Sequence, residues 1–214
     1  MWRNIHMSNV LFIKANDRPA DQAISVMMYD AFVASYKEAN PNDTITELDL
    51  FQADLPYYGN DAITANYKKS QGMELTAEDQ KYIDLTEKYL GQFFDADKVV
   101  IATPLWNGTV PAPLVTYISY LAQAGRTFKY TAEGPVGLAG DKKVAVLAAR
   151  GSDYALDFMA ASEAAVRYVN TNLALWGIHE PTQLIIQGHN QYPERSQEII
   201  ADGLVEVTKA AASF

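Results

Sequence analysis

An α/β fold, with one parallel sheet covered by helices on both faces, is the fold class this sequence predicts. Three observations predict it. Five short apolar or alternating runs of strand length recur along the 214 residues, at Val10–Ala15, Thr44–Leu50, Val99–Ala102, Lys142–Ala149 and Thr182–Gln187. Longer segments with apolar residues at helical spacing separate them. No internal repeat, low-complexity tract or linker interrupts the alternation, and alternation of this kind implies a parallel sheet.

Each element has its own justification. Val10–Ala15 is rich in β-formers and is broken by Asn16-Asp-Arg-Pro-Ala20. The helix that follows carries Ile24, Met27, Met28, Ala31 and Phe32 on one face and stops at Asn40-Pro41. Thr44–Leu50 alternates strictly, which suits a strand with one polar face near a sheet edge. Phe51 to Gly72 reads as an irregular surface excursion, a pocket rim. Thr76-Ala-Glu-Asp79 has capping-box spacing with Asp in place of Glu, and its helix turns Tyr82, Leu85, Tyr89, Leu90 and Phe93 inward. The run from Val99 ends abruptly at Thr103-Pro104 and enters a polar-aromatic loop, Leu105-Trp-Asn-Gly108, that feeds the next helix. Pro113 suits that helix's first turn, Leu114, Tyr117, Ile118, Leu121 and Ala122 form its apolar stripe, and Gly125 fits its C-terminal cap. Thr127–Thr131 and Val136–Leu138 flank Ala132-Glu-Gly-Pro135 as a hairpin or looped excursion. Lys142–Ala149 ends in Arg150-Gly151-Ser152. One long helix is expected from Tyr154 to Trp176, closed by Gly177. Thr182–Gln187 is the fifth strand, and a last helix from Glu194 to Ala212 points Ile200, Leu204, Val207 and Ala211 inward.

Right-handed crossovers leave few topologies for such a chain. For five strands the expected one is the three-layer flavodoxin-like fold with strand order 2-1-3-4-5. Its topological switch point lies between strands 1 and 3, where this topology binds flavin mononucleotide (FMN). The loops after Ala15, Thr103 and Ala149 converge there. Residues 7–214 are expected to form a single domain, with residues 1–6 a leader outside it.

Composition narrows the function. Hydrophobic residues make up 49% of the chain, enough for a sizeable core, and the net charge is −9. Duplex binding needs clustered Lys and Arg, so nucleic acid is an unfavoured partner. The absence of Cys removes disulfides, thiolate nucleophiles and Cys-ligated metals. No apolar run reaches the ~20 residues of a membrane span, and Met1–His6 lacks the apolar core of a signal peptide. The expected address is cytoplasmic, without a membrane partner.

The three loops suggest a chemistry. Asn16 to Ser25 joins a strand to a helix start, where free amides and the helix dipole attract a phosphate. Arg18, Gln22 and Ser25 offer further donors, although Ser25 also suits a plain capping role. Neither G-x-x-x-x-G-K-[ST] nor G-x-G-x-x-G is present, which argues against a P-loop and a dinucleotide fold. Trp106 offers a flat wall and Asn107 an amide, the combination an isoalloxazine ring needs; a strand-to-helix turn with a packing Trp is the plainer reading. Gly151 lets a backbone approach a planar ligand. Arg150 reads as a ligand contact or as a surface ion pair.

Several motifs taken together resemble the FMN-dependent NADH azoreductases, also called NADH:quinone oxidoreductases. They are Lys14-Ala-Asn16, Arg18-Pro19, Tyr36-Lys-Glu-Ala-Asn-Pro41, Glu47-Leu-Asp-Leu50, Pro104-Leu-Trp-Asn107, Ala124-Gly-Arg-Thr-Phe-Lys-Tyr-Thr131 with Gly134-Pro135 and Gly137-Leu138, and Ala149-Arg-Gly151. The resemblance spans almost the whole chain from Met7. It implies a flavodoxin-like homodimer that binds FMN tightly and non-covalently. The implied reaction takes hydride from NADH and reduces quinones and azo compounds by two-electron ping-pong transfer. Its cofactor contacts map to Asn16, Arg18, Ser25, Pro104, Leu105, Trp106, Asn107, Gly108, Ala149, Arg150, Gly151 and Ser152, and its substrate-stacking positions to Tyr120 and Phe128. The sequence departs from the family pattern at Ala23, where a hydroxyl is usual, at Gly108, where a bulky residue is usual, and at Ser152, where Gly is usual.

No catalytic triad, paired carboxylates or metal-ligand spacing is visible, so no side chain is assigned a catalytic role. His189 and His179 flank the fifth strand and read as solvated or capping residues. A lack of protein catalytic groups suits a flavoenzyme, whose cofactor carries the chemistry. A flavodoxin-type electron carrier without its own NADH-dependent activity is the alternative. A signalling receiver needs an acidic pair after strand 1, an Asp after strand 3 and a Lys after strand 5. The chain has Lys14-Ala-Asn16, Thr103-Pro104 and Gln187-Gly188 instead.

Overall fold

The computed structural model describes residues 7–214, and the expected leader lies outside the described residues. The first strand, β1 (Asn9–Lys14), alternates its side chains between two cores. Leu11 and Ile13 enter one and Val10 and Phe12 the other, because both faces of a central parallel strand are covered. Helix α1 (Ile24–Ala39) leads to β2 (Thr44–Asp49), which pairs with β1 in parallel at the sheet edge. The buried residues of α1 are Ser25, Val26, Met28, Tyr29, Phe32, Val33 and Tyr36; Ile24, Met27 and Ala31 are only half-buried, so the expected face is rotated.

The stretch read as irregular contains a helix, α2 (Asn60–Ser70). Its buried side is only Ala62 and Ala65, which gives little apolar periodicity, and Asn66 Nδ2 donates across to Thr86 Oγ1 at 3.0 Å. Helix α3 (Ala77–Asp95) opens with the expected capping box between Thr76 and Asp79. Strand β3 (Lys98–Pro104) and α4 (Ala112–Leu121) follow. Gly125 does not cap α4, which ends at Leu121. At φ +81° it turns the chain, its N–H donating to Phe128 O at 2.7 Å. The short strands β4 (Phe128–Thr131) and β5 (Gly134–Gly137) form the antiparallel hairpin.

Strand β6 (Lys143–Arg150) follows. The single long helix expected after it is broken into α5 (Asp157–Ala160) and α6 (Ala165–Leu175). The cause is non-local. The Ala164 N–H, which a continuous helix would use internally, donates to Gly108 O at 2.8 Å, and Glu163 Oε1 accepts from the Val166 N–H at 2.8 Å to start a new helix. Strand β7 (Thr182–Gln187) and α7 (Ser196–Ser213) complete the chain.

The main sheet runs β2-β1-β3-β6-β7. With the β4–β5 hairpin set apart, this is the expected 2-1-3-4-5 order. Residues of α1 and α7 pack in one core, and those of α3, α4 and α6 in the other. No helix among the described residues is long and apolar enough to cross a membrane.

Candidate functional site

The carboxyl ends of β1, β3, β6 and β7 open on one cleft of about 410 Å³, within the range of small-molecule sites. Its first wall is the start of α1. The N-cap is Ala23, which makes no side-chain capping bond, and no acidic residue stands in the first turn. The Val26 N–H already donates to Ala23 O at 3.0 Å; the amides of Ile24 and Ser25 have no partner among the described residues and stay available to an anion, which the dipole favours. A hydroxyl at position 23 would compete for them. Asn16 is buried; its Nδ2 donates to Ser25 Oγ at 2.9 Å and its Oδ1 accepts from the Arg18 N–H at 3.0 Å. That network fixes the turn and leaves the Ser25 hydroxyl proton free to donate. Arg18 is exposed and reaches Gln22 Oε1 at 3.5 Å.

The second wall comes from the loops after β3 and β6. The Leu105 N–H donates to Ala149 O at 2.9 Å, which ties the two loops together. Trp106 and Thr109 exchange backbone bonds around Asn107 (φ +50°) and Gly108 (φ +84°). Two consecutive residues at positive φ make a tight Asn-Gly turn, which accounts for Gly at position 108. Phe51 packs its ring against Trp106, centroids 6.2 Å apart, and holds the indole.

The third wall, after β7, is one the sequence reading missed. His189 and Asn190 line the cleft with Ser196 and Ile200 of α7. The segment is stitched to the β6 loop: the Gly188 N–H donates to Arg150 O and Ser152 O, and the N–H groups of Asn190 and Gln191 to Gly151 O. The available signal was positional, since the loop after the fifth strand also lies at the carboxyl end of the sheet.

Of the predicted cofactor residues, Asn16, Arg18, Ser25, Pro104, Leu105, Trp106, Ala149 and Gly151 line this cleft. Asn107, Gly108, Arg150 and Ser152 are not among its lining residues. Asn107 is exposed at the tip of its turn. Arg150 is only 8% exposed and makes no ion pair among the described residues; its guanidinium lies 5.7 Å from the Tyr154 ring centroid. The structure does not bring Tyr120 or Phe128 to the cleft either. Tyr120 is fully buried and donates its hydroxyl to Pro56 O at 3.0 Å, while Phe128 sits in the core beneath Tyr130. Both are held by buried aromatic packing.

The donor set fits FMN. An uncapped helix start, a serine hydroxyl and an arginine suit its phosphate, and Pro104, Leu105 and Trp106 give the apolar and aromatic surface a flavin ring needs.

Comparisons with known proteins agree. A family described by a flavodoxin-like fold matches residues 8–210. FMN-dependent NADH:quinone oxidoreductase 2 of Bacillus cereus (strain ATCC 10987 / NRS 248) is 66% identical over 208 residues, 97% of this chain and 100% of that protein. FMN-dependent NADH:quinone oxidoreductase of Brevibacillus brevis is 58% identical over the same shares. Among solved structures, azoreductase from Bacillus anthracis str. Sterne has a TM-score of 0.95 at 53% identity, covering 97% of this chain and 100% of that one. An FMN-dependent NADH-azoreductase from Bacillus anthracis str. Ames Ancestor, in complex with FMN, has a TM-score of 0.86 at 28% identity, covering 97% and 99%.

Proposed function

This chain belongs to the flavodoxin-like family of FMN-dependent NADH:quinone oxidoreductases and azoreductases, and from that premise we propose that it oxidises NADH and passes two electrons to a quinone or azo compound in a ping-pong sequence. When bound, FMN supplies the hydride acceptance and the two-electron delivery. The chain's own residues bind and orient. The leading amides of α1, the Ser25 hydroxyl and Arg18 hold the phosphate. Leu105 and Trp106 wall the ring and exclude water, with Phe51 keeping the indole in place. The observation that carries the reading is the convergence of the uncapped start of α1 and the Trp106 turn on one cleft at the switch point of the sheet.

The donor and acceptor are taken to use the same face of the site in turn. Initial rates of NADH oxidation with a quinone or an azo dye should give parallel double-reciprocal lines. Intersecting lines would contradict the ping-pong sequence, and an FMN-loaded protein that oxidises no NADH would support the electron-carrier reading. The proposal includes a homodimer. Tyr130, Val136 and Leu138 on and beside the β4–β5 hairpin, and Val115 on α4, are exposed apolar side chains of the kind stable interfaces bury. A fully active monomer in sedimentation at assay concentration would refute it.

A further inference from the structure

We propose that His189 is a ligand-contacting residue of this cleft, whose imidazole Nε2–H donates to the phosphate of the bound cofactor. The inference rests on reading the cleft as the FMN site and assigns a function to a residue the reaction chemistry leaves unused.

Three observations carry it. His189 lines the cleft together with Arg18, Gln22 and Ser25, the groups at the anion-binding start of α1. Its Nδ1 is buried and has no hydrogen-bond partner among the described residues, whereas Nε2 is not buried and is left without a partner among them. The loop that carries it is fixed: Gly188 sits at φ +83°, the Tyr192 N–H donates to Gly188 O at 2.9 Å, and the bonds to Arg150, Ser152 and Gly151 hold the segment against β6.

The chemistry follows from the two nitrogens. A neutral imidazole has one donor and one acceptor. The proposal puts the proton on Nε2, the less buried nitrogen, and leaves the acceptor lone pair on the buried Nδ1. Charging the ring would place an unpaired N–H at Nδ1, and burial indeed pushes His189 below the ordinary histidine range. The charged groups around it do not reverse this. Arg18 and Asp21 stand on the β1–α1 side, Asp153 and Arg150 on the β6 side, and Arg195 with Glu198 form their own pair at the start of α7. Among the described residues no ion pair joins any of them to the imidazole. In the cofactor-free protein burial therefore favours the uncharged imidazole, beside a helix start that already supplies positive potential.

The test compares FMN and riboflavin, which differ by the phosphate, and uses ring-nitrogen NMR. In the protein without cofactor, the His189 signals should report the Nε2–H tautomer. FMN or inorganic phosphate should shift the Nε2 resonance, and riboflavin should not. His189→Ala should weaken FMN affinity about tenfold, the scale of one good hydrogen bond, while leaving riboflavin affinity unchanged. His189→Gln, whose amide nitrogen can occupy the Nε2 position, should restore most of the loss, and His189→Asn should not. A proton on Nδ1, an Nε2 resonance indifferent to phosphate, or equal losses for FMN and riboflavin would each overturn the proposal. Unchanged FMN affinity in His189→Ala would overturn it too, yet leave the FMN reading standing. Failure of the wild-type protein to bind FMN at all would instead remove the reading beneath it.

Discussion

Replacing Ser25 by Ala tests the phosphate site at a single atom. Ser25 is 2% exposed and its oxygen accepts from Asn16 Nδ2 at 2.9 Å. No acceptor for its proton is present among the described residues, so the hydroxyl can donate to a phosphate oxygen. A hydrogen bond to a charged group contributes about 1.5–3 kcal/mol, which corresponds to a ~10–150-fold loss of FMN affinity. The substitution also strips Asn16 Nδ2 of its partner. Leaving a buried amide unpaired costs about 1–3 kcal/mol, or about 2–12 °C in melting temperature for a chain of this size. The two effects separate experimentally. Fluorescence titration with FMN and with riboflavin reads the ligand term, and thermal melting of the cofactor-free protein reads the structural one. FMN affinity should fall through the stated range while riboflavin affinity barely moves. A melting temperature that drops while FMN affinity stays within about twofold would refute the reasoning and reduce Ser25 to a support for Asn16.

Further outcomes follow from other parts of the fold. Asp79 accepts from Lys68 and from the Thr76 backbone and hydroxyl, which hold its pKa at about 2, below the ordinary 3.8. A carboxylate depressed in the folded state stabilises above its unfolded pKa and loses that contribution as pH falls from 3.8 toward about 2. Melting curves of Asp79→Asn should therefore be flatter than wild type across that window, and an identical acid limb would count against the pairing. A Cβ at Gly137 would lie 2.1 Å from Gly177 N and 2.2 Å from the Trp176 carbonyl carbon, both backbone. Gly137→Ala should cost about 3 kcal/mol or more, and a melting temperature like wild type would show that the strand can move aside. Asn107→Gly keeps the positive φ of the Trp106 turn and removes only the amide. That amide is exposed and does not line the cleft, so steady-state turnover should stay within about twofold, and a roughly tenfold fall, one hydrogen bond's worth, would put the amide on the ring.

The strands were legible because β1, β3 and β6 are covered on both faces, and nearly continuous apolar runs are what such burial selects. The capping box at Thr76 and the Asn40-Pro41 stop were legible because their chemistry is local. What was not legible depends on partners distant in sequence. Nothing in Ala160-Ala-Ser-Glu-Ala-Ala165 forbids a helix; the break is made by Gly108, whose carbonyl takes the Ala164 amide. Helix α2 hides because its buried side is two alanines. At the site, the turns after β1, β3 and β6 were placed from strand order alone. His189 looked solvated because its burial comes from the loop packed against β6, and Tyr120 looked available because the Pro56 carbonyl that engages it lies 64 residues away.

The most direct test of the central claim is the visible spectrum of the purified protein, loaded with FMN, freed of excess cofactor and kept anaerobic, before and after NADH and then after a quinone. The account predicts a protein-bound flavin band that NADH alone bleaches and the quinone restores. A protein that retains no flavin, or a flavin band that persists in excess NADH, would contradict it.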